Sequence, residues 1–152
     1  MALHPTAQRF QERLAALGLA ADVHELAAST RTAAEAAAAV GVEVGQIVKS
    51  LVFVDPEGPV LCLCAGDRRV DTTKLGGDVR QATGDEVREA TGFAIGGVPP
   101  IGHDRPVRTV VDSSLRRFPT VWCAAGTPNA VFSVSTEALI GAIPEAAVEE
   151  IS

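Results

Sequence analysis

The sequence predicts one α+β domain, residues 1–152, that is built around a mixed sheet. Short strand patterns cluster between scattered helical patterns, without the strict alternation that a parallel α/β sheet requires. A length of 152 residues suits one domain, because domains usually contain roughly 100–200 residues. Hydrophobic residues make up 47% of the chain and aromatic residues only 4%, so Val, Leu, Ile and Ala must form most of the core. This composition excludes disorder, collagen and a coiled coil.

The first elements are predicted from hydrophobic spacing. Within 6–17, apolar residues recur at helical spacing at Phe10, Leu14 and Leu17, which predicts a helix with one apolar face. Residues 22–26 follow as a short strand. We expect the apolar face of this helix to pack on the core.

Helix-capping signals predict the second helix. Thr32 and Glu35 have the spacing of a capping box, and an Ala-rich segment continues to Val40. Gly41 then occupies the position after the helix that glycine favours. Three more helical segments are predicted at 72–75, 85–91 and 136–140.

The strongest strand pattern covers 47–54 and is followed by a turn at 55–58. Residues 60–65 form the next strand pattern directly after this turn, so the two strands are predicted to pair as a hairpin. Four further short strands are predicted at 79–82, 107–111, 121–125 and 130–134.

Net charge limits the partners of this chain. It has 13 Lys and Arg residues against 19 Asp and Glu residues, which gives a net charge of −6. The field of the whole molecule therefore repels polyanions, so DNA is not an expected partner and any contact with RNA must be local and transient. No basic segment followed by an apolar stretch opens the chain, and no apolar run approaches the about 20 residues that span a bilayer. We expect a cytoplasmic protein without membrane contact.

Cysteine and histidine usage does not indicate redox or metal chemistry. Cys62, Cys64 and Cys123 lie in apolar strand-like segments and are predicted to be buried free thiols. A redox role for Cys62 and Cys64 lacks the Cys-x-x-Cys spacing. The three histidines have no spacing to one another or to cysteine that indicates a zinc site, so we expect no metal and no cofactor.

Lys49 is the residue that a purely structural role explains least well. Strand alternation in 47–54 places Lys49 on one face and Ser50 on the other, each among apolar neighbours. A strand that is apolar on both faces is typical of a covered, central position, where an ammonium is costly unless it faces a pocket or an anion. An edge lysine whose stem covers the core while its head reaches water explains the pattern equally well.

Two glycine-containing segments could approach a ligand closely. Residues 91–102 contain four glycines and two prolines, and the amides of Gly96, Gly97 and Val98 could together bind an oxyanion or a phosphate. Taken alone, this loop is more simply a structured turn without a ligand. The segment 126–129 lies between two predicted strands and is adequately explained as a hairpin turn.

Other polar groups have simpler interpretations. Asp112, which is followed by two serines, is predicted to form an Asx or capping turn rather than a catalytic carboxylate. Arg68, Arg69 and Lys74 are most simply a solvated face, although they could also hold RNA phosphates.

Six short motifs follow one another in a characteristic order along the chain. They are IVKSLVF at 47–53, GDRRVD at 66–71, TGF at 91–93, GGVPP at 96–100, VDSSL at 111–115 and AGTP at 125–128. This ordered set resembles the YbaK-type family, the free-standing relatives of the editing domain inserted in bacterial prolyl-tRNA synthetases. The resemblance runs from Arg31 to Ile143 and implies a mixed, largely antiparallel, barrel-like sheet with flanking helices.

The resemblance implies hydrolysis of the ester that joins a wrong amino acid to tRNA. In the family the strand lysine is central to catalysis or to substrate placement, which assigns that role to Lys49, with Ser50 beside it. The glycine-proline loop of the family borders the aminoacyl pocket, and a second glycine turn accompanies it. These two segments supply the remaining substrate-binding residues: Gly96, Gly97, Val98, Pro99, Pro100, Gly126 and Thr127.

One departure from the family affects the expected mechanism. Some members have a histidine shortly after the second glycine, whereas this chain has Pro128, Asn129 and Ala130. We therefore expect a mechanism without that histidine, in which an already activated ester needs mainly a placed water and a polarised carbonyl. Loop amides or Lys49 would stabilise the oxyanion, each donor typically contributing about 3–4 kcal/mol. The vicinal ribose hydroxyl is a further group that could orient the water.

The expected activity is that of a trans-editing hydrolase for tRNA that carries a small wrong amino acid such as Ala, Cys or Ser. The expected tRNA is tRNA-Pro, and prolyl-tRNA synthetase or an elongation factor are the expected protein partners. Gly96 and Gly97 beside the rigid 98–100 segment would let backbone crowd the amino acid, which favours a small substrate. The alternative is a non-catalytic binder of tRNA acceptor ends or of aminoacyl-adenosine that acts with a synthetase. Such a binder would keep the pocket and lack turnover.

Overall fold

The computed structural model describes residues 3–27 and 32–152. In this part of the chain two sheets are flanked by the helices α1 (Pro5–Ala16), α2 (Ala33–Val40), α3 (Gly84–Thr91) and α4 (Thr136–Ala142). The strands are β1 (Val23–Glu25), β2 (Val48–Asp55), β3 (Gly58–Ala65), β4 (Arg80–Gln81), β5 (Thr109–Asp112), β6 (Thr120–Ala124), β7 (Ala130–Ser135) and β8 (Ala147–Glu149). Short 3-10 helices occupy Val44–Gln46, Thr72–Leu75 and Ser113–Arg117.

The sheet topology confirms a mixed, largely antiparallel α+β fold. One sheet has the order β4-β2-β3-β5-β8 and the other has the order β1-β7-β6. The pairs β2–β3, β2–β4, β1–β7 and β6–β7 are antiparallel, whereas β5 pairs in parallel with both β3 and β8.

The barrel-like arrangement is an open one, because the two sheets of the described residues do not form a closed barrel. They meet in one isolated parallel bridge, between Ile47 at the start of β2 and Trp122 in β6. A closed barrel requires a continuous ladder around the ring, and here the edge of β2 is open between that bridge and β4.

Local capping chemistry explains where the helices begin and end. The Thr32 side chain accepts a hydrogen bond from the Glu35 N–H at 3.1 Å, and Gly41 ends α2 with a φ of 75°. Both observations confirm the predicted second helix. The helix α3 begins with a capping box between Thr83 and Glu86, which starts it one residue before the predicted position.

The remaining predictions differ at element boundaries. The first helix ends at Ala16, so Leu17 caps the helix with 43% of its surface exposed and does not belong to the apolar face. Only Arg80 and Gln81 pair within the predicted strand at 79–82, and the strand predicted at 107–111 begins at Thr109. The strand β8 was not predicted, because it is short, mostly exposed and stabilised by pairing with β5.

The main core fills the space between the sheets and α1. Phe10 of α1 packs its ring against Phe132 of β7 at a centroid distance of 5.4 Å and against Phe93 at 6.2 Å. Leu61 and Leu63 of β3 are fully buried in the same cluster. This packing holds the 92–98 loop against α1 and the hairpin of β6 and β7, and so positions one wall of the site.

Candidate active site

A cleft of about 410 Å³ lies beside the open edge of β2. Its walls come from β2, β6, β7, α2 and the loop that follows α3, and its surface is mostly apolar. The residues of sequence interest that line it are Lys49, Ser50, Gly96 and Val98, together with Gln81, Ile95, Trp122 and Pro128. Among the lining residues that the structure describes there is no Asp, Glu or His, so the cleft contains no conventional general-base side chain.

The backbone of Ser50 is directed at this cleft. Asp55 pairs with Gly58 across the two-residue turn after β2. This pairing determines which residues of β2 form backbone hydrogen bonds with β3. Every second residue of β2 directs its N–H and C=O away from β3. Val52 is one of these residues, and its C=O accepts a hydrogen bond from the Ala82 N–H at 3.1 Å. Ser50 has the same orientation two residues earlier, at a part of the edge that β4 does not reach. Its N–H and C=O therefore face the cleft.

The Ser50 hydroxyl adds a third polar group at the same point. Its Oγ is buried and has no hydrogen-bond partner among residues 3–27 and 32–152. A buried polar group that lacks a partner costs about 1–3 kcal/mol, so such a group is expected to bind a ligand or water. One residue thus offers a donor, an acceptor and a hydroxyl within a mostly apolar cleft.

Lys49 lines the same cleft, but its ammonium is bound outside it. The Lys49 Nζ donates a hydrogen bond to the backbone carbonyl of Arg68, in the turn after β3. The side chain is half-buried, and its backbone pairs with Cys64 of β3. Placing the ammonium over a ligand in the cleft requires the four-carbon stem to turn from the Arg68 carbonyl, a rearrangement that a flexible lysine readily makes.

Some residues of the glycine-proline loop line the cleft, and others pack behind those residues. Gly96 and Val98 line the cleft, and Gly96 has a φ of 94°, which glycine adopts without strain. Gly97 is buried against the second glycine turn, where a Cβ would lie 2.8 Å from the carbonyl oxygen of Gly126. Gly97 therefore allows the backbones of the loop and of the second glycine turn to approach closely, and it does not itself line the cleft.

Pro99 and Pro100 are buried behind the same wall and do not line the cleft. The His103 ring donates from Nε2 to the Pro99 carbonyl at 2.7 Å. Burial lowers the pKa of His103, although the bond to Pro99 partly opposes this shift. The neutral imidazole is therefore favoured, and it fixes the loop from the side opposite the cleft.

The second glycine turn contributes to the cleft through Pro128. Gly126 lies outside the cleft, and its N–H donates to the Gly97 carbonyl at 3.0 Å. Thr127 also lies outside it and donates from its hydroxyl to the Asn129 side chain at 3.1 Å. The turn and the loop therefore form one connected wall, of which Gly96, Val98 and Pro128 line the cleft.

Sequence reasoning missed two apolar residues at the mouth of the cleft. Trp122 is half-buried in β6 beside the His24 ring, at a centroid distance of 6.1 Å. Ile95 is 62% exposed and precedes Gly96. A single tryptophan in the chain and a large apolar residue next to a loop glycine were available signals, but neither is specific without knowledge of the tertiary contacts.

The structure confirms that the cysteines are buried free thiols. Burial raises the pKa of Cys62 to about 12, and it also raises the pKa values of Cys64 and Cys123. Thiols with raised pKa values are poor nucleophiles at neutral pH. Within 3–27 and 32–152, no group of three or more His, Cys, Asp or Glu residues could hold a metal ion. Over the same residues, every helix is too short or too polar to cross a bilayer.

The chain belongs to the aminoacyl-tRNA editing domain family, whose model matches residues 27–142. This match includes both Lys49 and Ser50 and the two glycine segments that form the wall of the cleft. It associates the chain with tRNA editing and translation fidelity.

Individual relatives agree with this assignment. The protein YwhH of Bacillus subtilis (strain 168), which is uncharacterized, is 36% identical over 123 residues, 78% of each chain. The proline--tRNA ligase of Lactobacillus gasseri is 38% identical over 76 residues, which cover 47% of this chain and 14% of the ligase. A solved structure of a candidate trans-editing enzyme for prolyl tRNA synthetase has a TM-score of 0.91 and 51% identity, with 99% of both chains covered.

Proposed function

We propose that this chain is a trans-acting hydrolase that removes small, wrong amino acids such as Ala, Cys or Ser from tRNA-Pro. The observation that carries the proposal is the cleft in the family-matched region, where the unpartnered hydroxyl of Ser50 meets a mostly apolar surface. Similarity to the editing region of proline--tRNA ligases and to a candidate trans-editing enzyme supports this choice of tRNA. Acting on free charged tRNA, the protein would work in the cytoplasm, beside prolyl-tRNA synthetase or an elongation factor.

The open edge of β2 provides the binding mode for the aminoacyl group. An aminoacyl ester has an ammonium donor and a carbonyl acceptor separated by one carbon, as a residue of an adjoining strand does. The Ser50 C=O would accept from the ammonium, and the Ser50 N–H or Oγ would donate to the ester carbonyl. Donors placed on that carbonyl stabilise the oxyanion that forms when water attacks.

Water activation in this cleft must come from something other than an acidic or imidazole side chain. No Asp, Glu or His of the described residues lines the cleft. The vicinal ribose hydroxyl of the terminal adenosine is the nearest group that the substrate itself brings to the ester. In our proposal it orients the water, and the protein supplies placement and carbonyl polarisation.

Hydrolysis of a panel of mischarged tRNAs tests the proposed function. The purified protein is incubated with tRNA carrying Ala, Cys, Ser, Thr or Pro, and loss of the ester is followed with time. We expect release of Ala, Cys and Ser above the uncatalysed rate, unchanged by EDTA, while Pro-tRNA is largely spared. Release from no member of the panel would contradict the hydrolase and favour the non-catalytic binder.

Lys49→Ala tests the role of the strand lysine. We expect most turnover to be lost while the melting temperature stays within a few degrees, because a solvent-reaching ammonium leaves no buried partner unsatisfied. A loss in kcat assigns Lys49 to the ester carbonyl, and a rise in KM alone assigns it to a phosphate of the substrate. Lys74→Ala is the control, since Lys74 also donates to a main-chain oxygen, that of Ser152, and forms an exposed ion pair with Glu150. If the melting temperature falls strongly in Lys49→Ala but not in Lys74→Ala, the hydrogen bond from Lys49 to the Arg68 carbonyl has a structural role.

A further inference from the structure

A second cavity, of about 410 Å³, lies on the other side of the wall that borders the cleft. Three arginines line it, Arg9 and Arg13 from α1 and Arg88 from α3, and we refer to it as the arginine cavity. Phe10 and Phe93, whose rings meet edge to face, also line it. The other lining residues are Thr6, Gly92, Ala94, Asp104 and Gly126.

The arginine cavity is cationic within an acidic molecule. Arg13 is paired with Asp104 at 2.7 Å and also donates to the Gly102 carbonyl at 2.6 Å. Asp104 is the one carboxylate among the described lining residues, so this pair is neutral. No ion pair joins Arg9 or Arg88 to a carboxylate of the residues that the structure describes. Two guanidinium groups thus remain available, against a net charge of −6 for the chain.

The identity of these cations indicates the chemistry of a ligand. A guanidinium presents a planar fork of donors that matches two oxygens of a phosphate, and Arg is favoured where phosphate is recognised. The Arg9 side chain has one long hydrogen bond, to the Thr6 hydroxyl at 3.5 Å, which an anion would readily replace. The cavity is therefore suited to phosphate groups.

The arginine cavity and the cleft share one wall. Gly92, Phe93 and Ala94 face the arginine cavity, and Ile95, Gly96 and Val98 of the same loop face the cleft. The second turn is divided in the same way, with Gly126 on one side and Pro128 on the other. A ligand that fills both spaces must pass over this wall, with phosphates on one side and an aminoacyl end on the other.

We propose that the arginine cavity binds the sugar-phosphate backbone of the RNA acceptor strand, through Arg9 and Arg88, while the aminoacyl end enters the cleft. This inference rests on the proposed function, because it takes the ligand of the cleft to be the end of an RNA strand. It also resolves how an acidic protein holds RNA, since the contact is confined to one cationic cavity.

The test compares two pairs of substitutions that remove the same charge. Arg9→Gln with Arg88→Gln removes the free cations of the arginine cavity. Arg69→Gln with Lys74→Gln removes two cations from the other surface that could hold RNA phosphates, of which Lys74 forms an exposed ion pair with Glu150 at 3.4 Å. All four side chains are exposed, so circular dichroism and melting temperature should be unchanged in both variants.

Binding is measured without turnover, by fluorescence anisotropy of a labelled, uncharged RNA hairpin with the acceptor stem and single-stranded 3′ end of tRNA-Pro. Loss of two single-strand phosphate contacts should reduce the slope of log K against log salt by about 1.4. If the two affinities are equal at about 1 M salt, this corresponds at about 0.1 M salt to about a 25-fold loss of affinity for the Arg9 and Arg88 variant. The Arg69 and Lys74 variant should lose less than about threefold.

The outcomes separate this inference from the proposed function. Equal losses in both variants, a loss only in the Arg69 and Lys74 variant, or no binding by the unmodified protein would each overturn the inference. Hydrolysis of alanyl-adenosine, which has no phosphate, should be the same in the unmodified protein and in the Arg9 and Arg88 variant. If neither protein hydrolyses any ester while the expected binding difference is observed, the proposed hydrolase fails and the RNA site stands.

Discussion

At the scale of single residues, the side chains of Lys49 and Ser50 differ in hydrogen bonding on the two faces of one strand. The Lys49 ammonium has a main-chain partner at Arg68, whereas the Ser50 hydroxyl has none among the described residues. A buried hydroxyl without a partner lowers the stability of the fold and gains a hydrogen bond when a ligand arrives. At Ser50 we therefore expect stability and binding to be opposed.

Ser50→Ala should leave the free energy of unfolding unchanged or raise it by up to about 1 kcal/mol, because no hydrogen bond is lost and an unsatisfied group is removed. The same change should lower kcat/KM for mischarged tRNA by about fivefold to tenfold, which corresponds to one hydrogen bond. Urea denaturation and initial rates measure the two effects.

Ser133→Ala is the matched control, since Ser133 is also half-buried in a strand but lies outside the cleft. We expect no change in its kcat/KM. A marked loss of stability in Ser50→Ala would mean that the hydroxyl has a structural partner in solution. An unchanged kcat/KM would mean that Ser50 does not contact the substrate.

At the scale of elements, the wall of the cleft is made by contact between two loops. Gly97 and Gly126 meet backbone to backbone, and the Gly126 N–H donates to the Gly97 carbonyl. Gly97 is required because a Cβ at this position would overlap the backbone of the other loop. Gly96 and Gly126 are required because their φ values of 94° and 100° favour glycine. The glycines therefore have different physical roles within one wall.

Gly97→Ala should destabilise the fold by about 1–3 kcal/mol, because its Cβ would overlap main-chain atoms at 2.8–2.9 Å that cannot rotate away. The Cβ is directed at the turn rather than at the cleft, so hydrolysis should fall by a similar factor for Ala, Cys and Ser. Thermal unfolding and the panel of mischarged tRNAs measure both effects.

Gly141→Ala provides the opposite case, since a Cβ at Gly141 in α4 meets nothing within 4 Å. We expect this variant to be stabilised by about 0.5–1 kcal/mol, with unchanged rates. If Gly97→Ala were as stable as the unmodified protein, the two loops would not be in contact in solution.

Elements with local signals were predictable, and contacts between distant segments were not. The β2–β3 hairpin and the Thr32 cap follow from turn and capping residues that are close in sequence. Alternation also placed Ser50 opposite Lys49. The open edge of β2 and the part played by Trp122 depend on how far the two sheets approach each other, which no local pattern encodes. For the same reason the sequence did not separate Gly97 from the residues that line the cleft.

At the scale of the whole molecule, one buried carboxylate attaches the end of the chain to the larger sheet. Asp112 ends β5 and is fully buried. Its side chain accepts from the Ile151 N–H at 2.8 Å and from the Ser152 N–H at 3.1 Å, and also from Ser114. The predicted Asx turn at Asp112 is confirmed, and the same carboxylate fixes the segment that follows β8.

Asp112→Asn should lower the free energy of unfolding by about 3 kcal/mol at pH 7, because an amide group would face donors that all need an acceptor. Burial raises the pKa of Asp112, but the hydrogen bonds from Ser114, Ile151 and Ser152 outweigh burial and hold it below its ordinary value of 3.8. Since the folded pKa lies below the unfolded one, the carboxylate stabilises the protein above about pH 3.8. This stabilisation is lost as the pH falls through the folded value, so the difference from the unmodified protein should shrink there.

Asp67→Asn is the matched control, because Asp67 also follows a strand but forms an exposed ion pair with Arg117 at 2.7 Å. An exposed pair contributes less than about 1 kcal/mol, so this variant should unfold almost as the unmodified protein does. Urea denaturation of the three proteins between pH 7 and pH 3 measures the difference. Equal stability of Asp112→Asn and Asp67→Asn at pH 7 would show that the chain end is not attached through Asp112. Retention of hydrolysis by Asp112→Asn below its melting temperature is also expected, since Asp112 does not line the cleft.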